Sequence, residues 1–524
     1  MVDRESRRVV GRFSTGAEQP GGLAVTSDGR VLVAHPFAGQ LSLHNSVSGD
    51  MLARLDLRGE PTGVAISVGG RRAFVSLAQL DQVVVLDLPE LREVQRISVG
   101  RRPRALALTP DGETLLAANF QEGSVSRIAV ATLRETGRVQ LTGVNLRGLA
   151  VAPDGRRAFV TGQIPANARV TRDPLDMWTN TVFVFDARAD GQARSAEGWI
   201  DFAASPAPDP DGIVALGSEE VAVTLGGSDE LIRVRTPGPH LRTYDPVIEK
   251  RLAVGLRPRG LARSLDGREL WVADELGNTL SVVDANTFRL LAEIDLGTPA
   301  LRRPDSRLAG RYLFGSAQLA RGGQFSCSSC HPDGKADGLT WEFAHVPDRL
   351  ARRNTRSLRG GITRTGPFRW SGVERDIEEF FQDEIVGLLQ GPRQAHPPLH
   401  ALWMMLDQFP LPRNPYRTRS GQHSAEAQRG RVLFHGKAGC IECHAGEMWG
   451  GAGVRAWVGT TPPAVPLDVP HLHGAFDSAP YLHDGRALSL EDVFNRHNSA
   501  HGHGRAHLLS PTERAAVLRF VREL

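Results

Sequence analysis

Cys327-Ser328-Ser329-Cys330-His331 and Cys440-Ile441-Glu442-Cys443-His444 contain all four cysteines of the chain, and both read Cys-x-x-Cys-His. This spacing suits covalent attachment of c-type haem: two thiols add across the vinyl groups of one porphyrin, and the adjacent histidine reaches the iron. One short turn must present both sulfurs to one porphyrin edge and swing the imidazole beneath the ring. A zinc site, a thioredoxin-like redox pair or structural disulfides would use the same residue types. A redox pair needs no trailing histidine, however, and the full five-residue pattern occurs twice. The expectation is two covalent haems, one on Cys327, Cys330 and His331, the other on Cys440, Cys443 and His444.

The chain has 524 residues, enough for several domains. Its 56 glycines, 33 prolines and 6% aromatic residues suit a turn-rich β protein. With 62 basic and 59 acidic side chains the net charge is only +3, which argues against a dedicated nucleic-acid binder. No apolar run reaches the roughly 18 residues of a transmembrane helix. Met1-Val2-Asp3-Arg4-Glu5 shows no basic segment leading into an apolar one, so no export signal is visible. In bacteria, haem attachment of this kind takes place outside the cytoplasmic membrane. The expected location is therefore periplasmic or extracellular, with a signal trimmed or lying upstream.

The haem motifs follow a repeat array. Gly22-Leu23-Ala24-Val25-Thr26-Ser27-Asp28-Gly29 recurs, with variation, at Gly63, Ala105, Gly148 and Gly260. Each copy is a short apolar strand closing on an Asp-Gly-type turn, followed by further strands such as Arg72-Ala73-Phe74-Val75-Ser76 and Val83-Val84-Val85-Leu86-Asp87. Four strands per roughly 42 residues is the period of a β-propeller blade. The wording resembles the YVTN-type propeller family, its tetrapeptide drifted to Phe-Val-Ser, Phe-Val-Thr and Trp-Val-Ala. Six blades are recognisable, the fifth weakly at Asp211–Leu216. A seventh would be degenerate or completed by other parts of the chain, and Arg7–Phe13 reads as an extra outer strand. The Asp-Gly pairs read as turn formers rather than catalytic groups. An insertion in the fourth blade, Gln163 to Asn180, carries Arg169, Arg172, Asp173 and Trp178 and is a candidate contact loop.

After Gly297 the pattern becomes helical and charged. The expected architecture is a multidomain chain: an all-β propeller over 1–298, then two mainly α cytochrome c-like domains over 299–417 and 418–524, joined at Leu411–Tyr416. Gly310-Arg311-Tyr312-Leu313-Phe314 and Gly430-Arg431-Val432-Leu433-Phe434 open the two units alike. Ser510-Pro511-Thr512-Glu513 starts a capped amphipathic helix of the kind that closes a cytochrome c fold.

The tandem units resemble the dihaem cytochrome c peroxidase and MauG superfamily over about 225 residues. The likeness rests on the haem motifs, on Arg353-Asn354 with Pro367-Phe368-Arg369-Trp370-Ser371-Gly372, and on Ala479-Pro480-Tyr481-Leu482-His483-Asp484-Gly485. It implies that Trp370 lies between the haems and helps electrons cross, although the family's aspartate is Ser371 here. Fourteen residues beyond His483, where the family places the sixth ligand of the electron-accepting haem, stands His497, which implies a bis-histidine iron of lowered potential. His501, His503 and His507 compete, with a solvated loop as the alternative reading, and Met448 lies too close to His444 in sequence to reach the opposite face. In the pseudo-equivalent place after Trp370 stands Glu384, a candidate proton carrier beside an open iron, unless it belongs to an acidic helix face. His345 is a candidate removable ligand on the first haem. By analogy Asn354, with carbonyls near Ser478 and Pro480, would hold calcium.

These features point to an exported haem-dependent oxidoreductase, a peroxidase that reduces hydrogen peroxide with electrons from a donor protein or uses it to oxidise a protein partner. The propeller would be the docking surface. The alternative is a non-enzymatic electron-transfer or surface-binding protein with both irons closed. A third reading, in which the propeller is itself the enzyme, finds no cofactor motif there.

Overall fold

A computed structural model of the chain describes residues 1–165, 178–188, 198–202, 205–236, 248–297, 306–341, 352–407, 409–451, 453–458, 466–498 and 502–524. Six four-stranded antiparallel sheets follow one another, each with its strands in chain order, as a six-bladed β-propeller. Blade 1 comprises Leu23–Val25, Arg30–His35, Gln40–Asn45 and Met51–Asp56. Blades 2 to 6 span 61–98, 103–140, 149–201, 210–253 and 258–295. The weakly written fifth repeat is a complete blade that begins at Pro210–Ala215. No seventh four-stranded sheet occurs among the described residues.

Val83, Val84, Val85 and Leu86 are all fully buried, because neighbouring blades cover both faces of a middle strand. The Asp-Gly pairs are turn formers. Thr109 Oγ1 and Glu113 N donate to Asp111 Oδ1 at 2.5 and 3.0 Å, and Gly112 takes a φ of 73° that favours glycine. The hydroxyl in the drifted tetrapeptide fastens one blade to the next. Ser76 Oγ donates to Arg104 O (2.7 Å), Thr161 Oγ1 to Asp211 O (2.9 Å) and Thr224 Oγ1 to Arg259 O (3.1 Å).

The expected outer strand at Arg7–Phe13 is instead part of a separate hairpin, Arg8–Val9 pairing with Val2–Asp3. Arg4 reaches Asp266 and Glu269, both at 2.7 Å, and the Arg7 guanidinium lies 5.2 Å from the Trp271 ring centre. Phe13, just beyond the hairpin, lies 5.3 Å from the His44 ring. This terminal segment therefore bridges the last blade to the first.

The remaining chain contains α1 (Ser306–Gly315), α2 (Cys327–Cys330), α3 (Ile377–Asp383), α4 (His396–Leu406), α5 (Ala425–His435), α6 (Leu490–Asn495) and α7 (Pro511–Arg522). These helices are short, and one-turn 3₁₀ segments and irregular backbone separate them. The repeated opening Gly-Arg-x-Leu-Phe now has a cause. A Cβ on Gly310 of α1 would fall 2.0 Å from the Ala401 carbonyl oxygen of α4, and one on Gly430 of α5 would fall 1.9 Å from that of Ala516 in α7. Glycine lets each pair of helices cross in backbone contact. Ser510 accepts from Glu513 N at 3.2 Å while Glu513 Oε2 accepts from Ser510 N at 2.8 Å, the reciprocal cap expected for α7. No helix among the described residues is long and apolar enough to cross a membrane.

Gly430→Ala should therefore push α5 from α7 and cost about 1–3 kcal/mol, the usual range for overpacking, read as a lower thermal midpoint of the full-length protein. Gly387→Ala, at a position with nothing within 4 Å of a built Cβ, is the control and should show no comparable loss.

Candidate functional site

The first Cys-x-x-Cys-His turn is built from two directions. Ser326 caps α2, and its backbone N–H donates to Ser329 Oγ at 3.0 Å. The hydroxyls of Ser326, Ser328 and Ser329 all converge on the carboxylate of Asp209, the latter two at 2.8 and 2.7 Å. Asp209 belongs to the propeller, one residue before blade 5, and is itself paired with Arg147 at 3.3 Å. Burial pushes the Asp209 carboxyl up, but Arg147 and the three serines outweigh it and hold the group below the usual carboxylate range. The serines between and before the two cysteines thus bind the attachment turn to the propeller.

The residues after His331 are held in the same way. Asp333 accepts from Arg104 at 3.2 Å and Arg259 at 2.9 Å, and Arg259 also reaches Asp211 at 2.8 Å. Lys335 pairs with Glu60. Fully buried Arg359 reaches Asp477 at 3.1 Å, and Arg102 reaches the other oxygen of that carboxylate at 2.8 Å. Asp477 lies between the second haem motif and α6, so both motif-bearing segments are clamped to the propeller. Asn180, at the base of the blade 4 insertion, donates to Gln324 O at 2.6 Å. Arg169, Arg172 and Asp173 of that insertion lie outside the described residues, as does the side chain of Trp178.

The second attachment turn is the 3₁₀ segment Cys440–Glu442, entered through Gly439 at a φ of 66°. His444 Nδ1–H donates to Trp449 O at 3.2 Å, which fixes the neutral tautomer with its Nε2 lone pair available to a metal. Burial pushes His331 and His444 down to about 4, so both imidazoles are neutral at ordinary pH. All four cysteines are free thiols, and burial pushes Cys327 and Cys440 up to about 12. Cys327 and Cys330 pack at the edge of a core that includes Phe325, Trp341, Phe381 and Ile385, and Cys440 at the edge of one that includes Phe434 and Phe520. Two thiols, a neutral imidazole and an apolar lining at each motif fit a covalently attached haem.

Trp370 is buried where the two segments meet. Its Nε1–H donates to Asn354 O at 2.8 Å, its ring lies 5.2 Å from the Arg356 guanidinium and packs on Leu467, and its carbonyl accepts from Asp468 N at 2.8 Å. Ser371 is buried with an unpartnered hydroxyl. The expected repetition of this segment is visible in the backbone. Phe368 bridges Glu374 as Tyr481 bridges Ala487, and Arg369 and Leu482 share positive φ values of 67° and 69°. Glu384 closes α3 and pairs with Arg369 Nη1 at 2.6 Å, near enough to Cys327 to add to the upward push on that thiol. The sequence offered Glu384 as a proton carrier or as part of an acidic helix face, and in the structure it stands in an ion pair with Arg369.

His497 lies two residues beyond α6, where its backbone N–H donates to Asp492 O at 3.0 Å. Among the described residues, the imidazole that faces His444 is that of His503, with ring centroids 6.3 Å apart. His345 and His501 lie outside the described residues. Asn354 is buried, with its amide nitrogen on Pro480 O and its Oδ1 unpartnered.

No protein-family model matches the chain. Among curated proteins it is similar to hydrazine synthase subunit gamma of Kuenenia stuttgartiensis, 24% identical over 271 residues that cover 41% of this chain and 76% of that protein. It is also similar to the methylamine utilization protein MauG of Methylorubrum extorquens, 27% identical over 246 residues covering 37% and 69%. Hydrazine synthase subunit beta of the same Kuenenia species is 26% identical over 226 residues, and the chain spans 58% of its length. A solved Kuenenia hydrazine synthase chain overlaps 52% of this chain and 99% of its own at 15% identity, with a TM-score of 0.37.

Asp209→Ala should leave Arg147 buried without its partner, a loss of about 3–5 kcal/mol, and free the turn at Cys327. The expected result is a lower thermal midpoint and a pyridine haemochrome yield that falls by about one haem per chain. Because the folded Asp209 pKa is depressed, its stabilisation is present above the unfolded value of about 3.9 and lost as pH falls through the folded one. Acid unfolding monitored by circular dichroism should accordingly show a smaller pH dependence in Asp209→Asn than in the wild type.

Proposed function

We propose that the chain is an exported dihaem c-type oxidoreductase of the cytochrome c peroxidase and MauG kind. It would consist of a propeller (1–298) carrying two cytochrome c-like units (299–417 and 418–524). The observation that carries this reading is the asymmetry around two alike attachment turns. Glu384 and Arg369 stand beside the first, and a second imidazole stands opposite the second. Similarity to MauG supports the redox class.

Cys327, Cys330 and His331 would hold the first haem, which when bound would supply the redox chemistry for reducing hydrogen peroxide. Two electrons and two protons convert one peroxide to two waters. Glu384 would accept the proton from the inner peroxide oxygen and return it to the outer one, so that the leaving group departs as water. Arg369, 2.6 Å from Glu384, orients the carboxylate and compensates negative charge on the departing oxygen. Trp370, packed between the units, would lie in the electron path. Electrons would come from a small donor protein or from an oxidised protein side chain, docked on the propeller or the haem units. Asn354 Oδ1 and the Pro480 carbonyl are oxygens that a calcium ion between the units would use.

Stopped-flow absorption after peroxide addition tests the assignment. Glu384→Gln should slow the first phase by about 10²–10⁴-fold, the usual worth of positioned acid–base assistance. Trp370→Phe should leave that phase intact and slow only electron equilibration between the haems. A wild type inert to peroxide in both the ferric and half-reduced states would instead establish an electron carrier.

A further inference from the structure

His503 stands opposite His444 in a way that its place in a Gly/His-rich stretch does not suggest. The two ring centroids are 6.3 Å apart and the ring planes are within 29° of parallel. Imidazoles stacked directly face to face would sit near 3.5–4 Å, so these rings are not stacked that closely. Two imidazoles on opposite sides of one iron, each with a metal–nitrogen bond of about 2.0–2.1 Å, have centroids about 6.3 Å apart once the distance from nitrogen to ring centre is added. The spacing between His444 and His503 is that of an axial pair.

The backbone around His503 is held for such a role. Buried Asn498 grips both main-chain groups of His503, donating from Nδ2 to its carbonyl at 2.8 Å and accepting its N–H at Oδ1 at 2.9 Å. One residue on, Gly504 takes a φ of 65°, and a Cβ there would lie 4.0 Å from Cys440 Sγ. Arg505 N–H then donates to Ala438 O at 2.9 Å. The loop is thus stitched at both ends, to Asn498 and to the residues just before the second attachment turn. Phe494 lies 6.0 Å from the His503 ring, and His503 Nδ1 is buried without a hydrogen-bond partner.

We infer that His503 is the sixth ligand of the second haem iron, opposite His444, with Asn498 as its positioning residue, and that His497 is not a ligand. This rests on the reading that haem is attached at Cys440 and Cys443. The iron there is closed on both sides, and its partner pairing is set by a loop rather than by the end of α6.

Electron paramagnetic resonance and near-infrared absorption of the ferric protein carrying both haems test the inference without recourse to turnover. His503→Ala should convert one haem from low to high spin, and added imidazole should restore the low-spin signal. His503→Met should keep that haem low-spin while adding a sulfur-to-iron band and raising its potential. His497→Ala should change none of these signals. Asn498→Ala should yield a mixture of high- and low-spin second haem that imidazole drives to low spin. Loss of the low-spin signal in His497→Ala, with none in His503→Ala, would overturn the ligand assignment alone. Mass spectrometry showing unmodified Cys440 and Cys443 in the wild type would overturn the haem reading and the inference together.

Discussion

The carboxylate of Asp209 is taken out of water at the point where the propeller meets the first attachment turn, and three serine hydroxyls and Arg147 replace the lost hydration. A charge in such a place is tolerable only when every partner is present. This couples the order of the loop before blade 5 to that of α2. The same logic extends outward through Arg259 and Asp333, and through Arg359, Arg102 and Asp477, so that both motif-bearing segments are referenced to one propeller face. The positions of the candidate redox groups are therefore tied to the blades.

Inside the C-terminal half a second constraint repeats. Gly310 and Gly430 permit backbone-to-backbone helix crossings, and Gly360 and Gly474, at φ values of 86° and 83°, both pack against Leu411. The two segments are thus variations on one arrangement that share a linker side chain. Their chemical surroundings differ at the places where the repetition breaks. Trp370 occupies the position matched by His483, and a guanidinium–carboxylate pair stands on one side where a tethered imidazole loop stands on the other.

What could be read from the chain alone was what is encoded within a few residues. The attachment turns, the Asp-Gly turns, the blade period and the reciprocal cap of α7 each depend on neighbours close in sequence. Asp209 gave no such signal. In Pro208-Asp209-Pro210 it reads as one more turn residue, and its partner Ser326 lies 117 positions away. Arg102 and Asp477 are separated by 375 positions, and neither carries a local signature. Glu384 was legible as a carboxylate near the first motif, but its ion pair with Arg369 depends on how α3 folds back. His497 and His503 illustrate the limit of counting. A fixed offset from His483 singles out His497, whereas the imidazole 6.3 Å from that of His444 belongs to His503, whose backbone Asn498 holds.

The clamped seat of the first Cys-x-x-Cys-His turn bears on how the protein is assembled. Once α2 is seated on Asp209, Cys327 and Cys330 lie partly buried against the core beneath the turn, and the three serines hold the backbone around them. A porphyrin would then have to meet two sulfurs on a turn that can no longer move. On the haem reading, thioether formation belongs to the undocked chain, and closure of the propeller against the serines comes afterwards. Maturation would then be ordered in time, with the rigid platform acting as the lock that is turned last.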